Sequence, residues 1–276
     1  MSPIFELRRS MGLSGSLARP KKVRVCLILL AVGVHSEHSL ILAANRDELH
    51  ARPSRRAGFW TEAPDVFGGL DLQGGGTWLG VTRRGRFAAL TNVRAKGARR
   101  EGRSRGLLVA GLLTGTGSLD EDALRSAGEA RAHASFNLLV GEGDRVLYIR
   151  DDGSPPTPVL PGVHGLSNAR LDVGWPKVEH GRQLLQAAMT QTGIARDAIF
   201  GMLNDRATAS DESLPATGIP LELERKLSAT FIVGAAYGTR CSTLLLVGKN
   251  GKIDIEERSF GPDGEPSYLV HETFGS

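Results

Sequence analysis

Two apolar runs joined by a short polar turn begin at Cys26. Residues 26–34 read Cys-Leu-Ile-Leu-Leu-Ala-Val-Gly-Val; His35 to Ser39 are polar, and Leu40 to Ala44 are apolar again. Asn45-Arg46-Asp47-Glu48 then closes the second run. The pattern predicts a β-hairpin. Antiparallel pairing brings the start of the first strand to the end of the second, so Cys26 is expected beside the Asn-Arg-Asp-Glu cluster. Further strands are expected over 77–81 and 87–92, with Arg83-Arg84-Gly85-Arg86 as the turn between them. A second hairpin is expected from 136–140 and 145–149 around Gly141-Glu142-Gly143-Asp144, with a short strand over 163–168.

Helical spacing marks 104–113 and 119–132, where Ser118 is a natural N-cap with acids in the first turn. Trp175-Pro176-Lys177 starts a helix to about 190, with proline at a tolerated first-turn position. Helices are also expected over 194–203 and 221–227, and closing strands over 231–233, 242–247 and 252–257. Residues 52–60 and 155–161 read as loops. Strands first, helices in the middle and strands again predict an α+β fold with antiparallel sheets covered by helices. One domain is expected from 26 to 272, and residues 1–25 are expected to be a disordered or non-native extension.

Charge changes one part of this picture. The chain of 276 residues carries a formal net charge of +4. Residues 1–25 hold Arg8, Arg9, Arg19, Lys21, Lys22 and Arg24 against Glu6 alone, so the remainder is close to neutral. A basic nucleic-acid-binding domain is not supported, and no nucleic-acid partner is expected. Arg83, Arg84, Arg86, Arg94, Lys96, Arg99, Arg100, Arg103 and Arg105 crowd one stretch with Glu101. That stretch reads either as a solvated loop or as an anion site. No apolar run approaches the ~18 residues of a membrane span. Two cysteines, Cys26 and Cys241, make no disulfide framework, which points to the cytoplasm. The histidines are scattered, no structural metal is expected, and oligomeric state is left open. The glycines at 74–76 lack the Lys-Ser/Thr ending of a phosphate loop.

Cys26 reads either as a buried strand residue or as a nucleophile, since a neighbouring guanidinium favours a thiolate. Cys241 reads as a strand residue facing away from Arg240. The order Ala-Asn-Arg-Asp-Glu, Gly-Gly-Thr-Trp-Leu-Gly-Val, Leu-Thr-Asn, Leu-Ser-Asn, Trp-Pro-Lys and Tyr-Gly-Thr-Arg-x-Ser-Thr resembles the NRDE family, that of transport and Golgi organisation protein two. The match runs from 26 to about 270.

That family resembles the N-terminal-nucleophile hydrolases, in their cysteine branch with penicillin V acylases and bile-salt hydrolases. The resemblance implies a four-layer αββα sandwich. In the family the cysteine follows the initiator methionine. Val25 holds that place here, so initiation at position 25 is expected, or self-processing of a propeptide.

The resemblance implies hydrolysis or acyl transfer at linear amides of small N-acyl compounds, through an acyl-thioester. Cys26 would be nucleophile and Arg46 the thiolate's partner. Asp47 would hold the α-ammonium or substrate, Asn92 and Asn168 would form the oxyanion hole, and Arg240 would be the late arginine. Asn45, Glu48, Trp78 and Arg94 are taken as substrate-binding. No cofactor is required; haem or acyl-CoA is the alternative ligand, of a non-catalytic binding or trafficking protein using the same cleft.

Overall fold

Burial separates the two faces of the opening hairpin. In the computed structural model, which describes residues 25–99, 101–191 and 193–275, Ile28, Leu30, Leu42 and Ala44 enter one apolar cluster while Leu27, Leu29, Ile41 and Ala43 enter another. A strand whose two faces are both dry must lie inside a layered structure. The hairpin, β1 (Cys26–Val32) and β2 (His38–Leu49), is central in a six-stranded sheet with β10 (Gly162–Leu166), β11 (Tyr237–Gly248), β12 (Ile253–Phe260) and β13 (Pro266–Phe274), in the order β10-β1-β2-β11-β12-β13. A seven-stranded sheet runs β3 (Ser54–Phe59), β4 (Val66–Asp71), β5 (Leu79–Thr82), β6 (Arg86–Asn92), β7 (Phe136–Glu142), β8 (Arg145–Arg150) and β9 (Thr157–Val159), each paired with the next. All of these pairings are antiparallel.

Three apolar clusters define the layers. Ile28, Leu30 and Leu42 of the first sheet meet Phe67, Val81, Phe87 and Leu139 of the second. The outer face of the second sheet, with Ala88, Leu138 and Val140, is covered by α1 (Gly106–Thr114) and α2 (Leu119–Glu129). The outer face of the first, with Leu29, Ala43 and Leu244, is covered by α3 (Pro176–Ala188) and α4 (Arg196–Leu203). The order is therefore αββα, and a short α5 (Leu221–Ser228) packs near the start of β1 through Leu227 and Val25. The close approach of α3 needs Gly181, where a Cβ would stand 2.6 Å from Leu29 Cδ1. Among the described residues no helix is long and apolar enough to cross a membrane.

Several expectations change. Residues 54–59, expected within a loop, form β3 and pair with β4 over 66–71, where no strand was expected. Arginine and glycine hide the alternation there, and the pairing is broken between Arg55 and Gly58. The last strand is β13, an exposed edge strand that was not expected, in which Tyr268 and Leu269 face solvent and break the apolar alternation. Residues 231–233 are not a strand, although Phe231 and Ile232 are buried; Phe231 N–H donates to Asp205 O (2.7 Å) and Ile232 N–H to Thr239 Oγ1 (2.9 Å). Val25 is fully buried, so it is part of the domain, whereas the expectation for residues 1–24 lies outside the described residues.

Ser118 caps α2 as expected, in a capping box. Ser118 N–H donates to Glu121 Oε2 at 2.9 Å, and Ser118 Oγ accepts from Glu121 N–H. Ser118→Ala is expected to lower stability by about 1 kcal/mol, read as a small drop in midpoint in urea or thermal unfolding.

Candidate active site

The hairpin register puts Cys26 opposite Arg46. The next pairings put Arg46 opposite Cys241 and Cys241 opposite Ser259. Period-two alternation makes this row continue the inter-sheet face of Ile28 and Ala44, and it forms one wall of a cleft of about 600 Å³. Trp78, Leu90 and Asn92 line the cleft from the second sheet. Cys241 thus faces the cleft, against the expectation that it turns away from Arg240; a register shift between Thr239 and Cys241 lets both side chains reach the same space. Cys26 and Cys241 are free thiols one strand apart from being neighbours. Two strand spacings give about 10 Å between their backbones, too far for a disulfide.

The Cys26 thiol is 7% exposed and accepts the Asp47 backbone N–H. Burial, followed by the Asp47 charge, pushes its pKa up to about 12, against the pull of that N–H and of Arg46. The Arg46 charge acts in the expected direction but is outweighed: removing a thiolate from water costs more than a half-buried guanidinium returns. Arg46 makes no hydrogen bond or ion pair with the described residues, so its head is available to a ligand.

Behind Cys26 lies a buried polar cluster. Asp47 is 1% exposed; it accepts from Thr239 Oγ1 at 2.6 Å, while its Oδ2 has no hydrogen-bond partner among the described residues. Burial raises its pKa to about 6, opposed first by the Lys177 charge. Lys177, 4% exposed, donates from Nζ to Leu227 O at 3.1 Å. Burial lowers its pKa to about 8, opposed by Asp47 and also by Cys26. Tyr237 OH accepts from Val25 N–H at 2.7 Å, and burial raises the phenol well above its usual range, keeping it a neutral donor.

Neither Lys177 nor Tyr237 was singled out from sequence. A signal existed for the lysine: a cation in the first turn after Pro176 opposes the helix dipole unless an anion faces it. Across the cleft Glu257, buried and raised by desolvation, accepts from Thr243 Oγ1 at 3.1 Å and from the Cys241 thiol.

The other expected site residues divide. Asn92 lines the cleft, and its carboxamide makes no hydrogen bond with described residues. Asn168 is fully buried outside the lining; its Nδ2 donates to Asn92 O at 2.7 Å and its Oδ1 accepts from Ser167 Oγ at 3.2 Å. Ser167 Oγ in turn donates to Cys26 O at 2.8 Å, so Asn168 belongs to a frame that fixes Asn92 and Cys26.

Arg240 lines the cleft while donating to Leu49 O (3.1 Å), Arg52 O (2.7 Å) and Ser54 Oγ (3.1 Å). Glu48 and Trp78 also line it, with Glu48 3.5 Å from Arg52.

Asn45 does not reach the cleft. Alternation turns it to the helical face, where it donates to Leu203 O (2.7 Å) and Thr230 O (2.9 Å) and accepts from Ser242 Oγ (2.6 Å). Arg94 is not in the lining either; it pairs with Glu224 at 2.9 Å and lies over Trp175.

The basic stretch has no single role. Arg86 is buried against Asp122 and Glu142, Arg99 binds the Asp151 carbonyl, and Arg103 and Arg105 reach the cleft. Arg100 lies outside the described residues. In all, seven arginines and four carboxyl residues line the cleft among the described residues, which favours an anionic ligand.

A family model described as Transport and Golgi organisation 2 matches residues 25–262. The Transport and Golgi organization protein 2 homolog of Bos taurus is 38% identical over 243 residues, covering 80% of this chain and 87% of that protein. The Homo sapiens homolog is 35% identical over the same shares. The Drosophila melanogaster protein is 26% identical over 265 residues, 83% of this chain and 89% of its own. A solved structure, the Caenorhabditis elegans N-acylethanolamine-hydrolyzing acid amidase (NAAA) ortholog, aligns with a TM-score of 0.47 and 11% identity over 80% of this chain and 92% of that chain.

Proposed function

This chain belongs to the Transport and Golgi organisation 2 family, and we propose that it is an amide hydrolase or acyltransferase whose nucleophile is Cys26. The reading rests on one observation: the Cys26 thiol lines the arginine-rich cleft and accepts the backbone N–H of Asp47, whose buried Oδ2 has no hydrogen-bond partner among the described residues. Sulfur attacks the acyl carbon of a linear amide, and the thiol proton passes to a base. An α-amine freed at Cys26 would serve, held by Asp47 as its counter-charge; Asp47 itself is the base where the amine is tied up. The developing oxyanion meets the free Asn92 carboxamide. The amine leaves with the proton, and water releases the acid from the thioester, or an acceptor amine takes the acyl group.

Mass spectrometry tests both halves. Protein recovered from its native cells is expected to begin at Cys26. Acid-quenched protein mixed with an activated acyl ester is expected to carry one acyl group, mapped to the peptide containing Cys26. An adduct that maps to Cys241 instead contradicts the reading; a native chain that retains Val25 removes the α-amine as base and leaves that role to Asp47.

The excess of arginine supports a second reading, a carrier of an anionic ligand. Acyl-CoA suits the cleft better than haem, because no histidine lines it among the described residues. Under this reading Cys26→Ala leaves binding intact, and Arg46→Glu weakens it.

A further inference from the structure

We propose that the apolar chamber now filled by the Val25 side chain is the acyl subsite of the enzyme, and that it takes short aliphatic acyl groups. The inference rests on Cys26 being the nucleophile. Val25 is fully buried against Leu227 and Ile232, with Ile219, Leu223 and Tyr237 packed around them. Its carbonyl carbon is bonded to the Cys26 nitrogen. An acyl group on a cysteine nitrogen and one on its sulfur interchange through a five-membered ring, so the two positions share nearly the same space. In the acyl-enzyme a substrate C–N bond has been replaced by a C–S bond, and the thiol proton has gone to the leaving amine. The acyl chain then lies where Val25 lies.

The polar contacts fit an acyl carbonyl. Tyr237 OH accepts from the Val25 N–H at 2.7 Å and lies 3.4 Å from the Val25 carbonyl oxygen, in position to donate. One neutral phenol therefore addresses the N–H and the carbonyl that flank the Val25 side chain, and the carbonyl is the acyl group bonded to the Cys26 nitrogen. None of the chamber residues lines the arginine-rich cleft; Cys26 is where the two spaces meet. A substrate spanning both has an aliphatic acyl group on the chamber side and an anionic amine on the cleft side. Short-chain N-acyl amines bearing a carboxylate or phosphate are the class that fits.

The full-length Val25→Gly variant vacates the chamber. Isobutyramide, which carries the isopropyl group that Val25→Gly removes, is expected to raise its melting temperature by roughly 4 °C at ten times its dissociation constant. The full-length wild-type chain that retains Val25, with the chamber filled, and Val25→Gly/Ile232→Phe, with it blocked, are expected not to respond. If Val25→Gly does not fold, Val25→Ala carries the same comparison. Absence of rescue, or equal rescue in wild type, overturns the chamber. The second arm mixes the same variant with p-nitrophenyl acetate, isobutyrate and benzoate, whose leaving group needs no proton. Cys26 is expected to be acylated by isobutyrate at least roughly tenfold faster than by the others after correction for intrinsic reactivity, and Ile232→Phe is expected to erase the preference. Rescue without acylation of Cys26 overturns the nucleophile and with it the acyl role. Acylation without chain preference overturns the acyl role alone.

Discussion

Cys26→Ala is expected to lower amide turnover by on the order of 10⁴-fold or more while leaving the fold intact. The size follows from the absence of a substitute. Cys241 is the other described thiol in the cleft, and it lies two strands away with its own pKa raised well above the usual range by burial and by Glu257. With the Cys26 thiol near 12, only on the order of one molecule in 10⁵ carries a thiolate at pH 7. Resting ionisation therefore cannot supply the nucleophile, and the proton must move as the sulfur attacks.

Asp47, with a pKa of about 6, is ionised at pH 7 and protonated at pH 5. The rate kcat/KM is accordingly expected to rise with pH through a limb near 6 and to fall about tenfold per unit below it. Asp47→Asn removes that limb along with most of the rate. Steady-state kinetics of the three proteins between pH 4.5 and 8 check this. Turnover that survives in Cys26→Ala, or a limb unchanged in Asp47→Asn, assigns the chemistry elsewhere.

The nucleophile's neighbours were legible in the chain because they are local. Two apolar runs and one turn are enough to bring Cys26 beside residues 45–48; the pairing with Arg46 itself was not legible, because both faces of the hairpin are apolar and carry no alternation that fixes the register. Asn45 is kept from the cleft by its partners on the helical face, Leu203 O, Thr230 O and Ser242 Oγ, which come from distant segments. What was not legible depends on packing between distant segments. Arg86 and Arg94 look like members of one basic surface until Asp122 and Glu224 arrive from helices far along the chain to bury them. Lys177 and Tyr237 come to the start of β1 only because α3 covers the outer face of the hairpin and β11 pairs along β2. β3 and β4 were illegible for a different reason. Their glycines answer to close strand approach, with a Cβ at Gly68 falling 2.8 Å from Leu79 O, and a loop uses the same residues.

Lys177→Met is expected to destabilise the protein by a margin that grows with pH, reaching about 3 kcal/mol by pH 8. In the folded chain Lys177 has a pKa of about 8 against 10.5 for an ordinary lysine. A depressed base binds its proton more weakly than the unfolded chain does. Its cost is complete below pH 8 and disappears as pH rises towards 10.5, an amount of about 3 kcal/mol. Asp47 has a pKa of about 6 against 3.8, so its cost is absent below 3.8 and complete above 6, again about 3 kcal/mol. At neutral pH both charges are held at a loss, and each limits the loss of the other.

Removing Lys177 leaves Asp47 with burial unopposed by its main counter-charge. Its pKa then rises above 6, and the fall in stability that ends near 6 in wild type continues to higher pH in the variant. At pH 5, where Asp47 is already protonated, the variant is expected to match or exceed wild type. Asp47→Asn/Lys177→Met removes both charges and is expected to be at least as stable as wild type at pH 7, because a buried pair replaced by neutral groups of similar shape is usually neutral or stabilising. Urea unfolding of the three proteins at pH 5, 7 and 8 measures each difference. A deficit in Lys177→Met that does not change with pH uncouples the lysine from Asp47. The same coupling ties stability to catalysis: Lys177 is a positioning residue that keeps Asp47 ionised beside Cys26, so Lys177→Met moves the acid limb of kcat/KM upward from 6, whereas a lysine that only packed the helix would leave that limb in place.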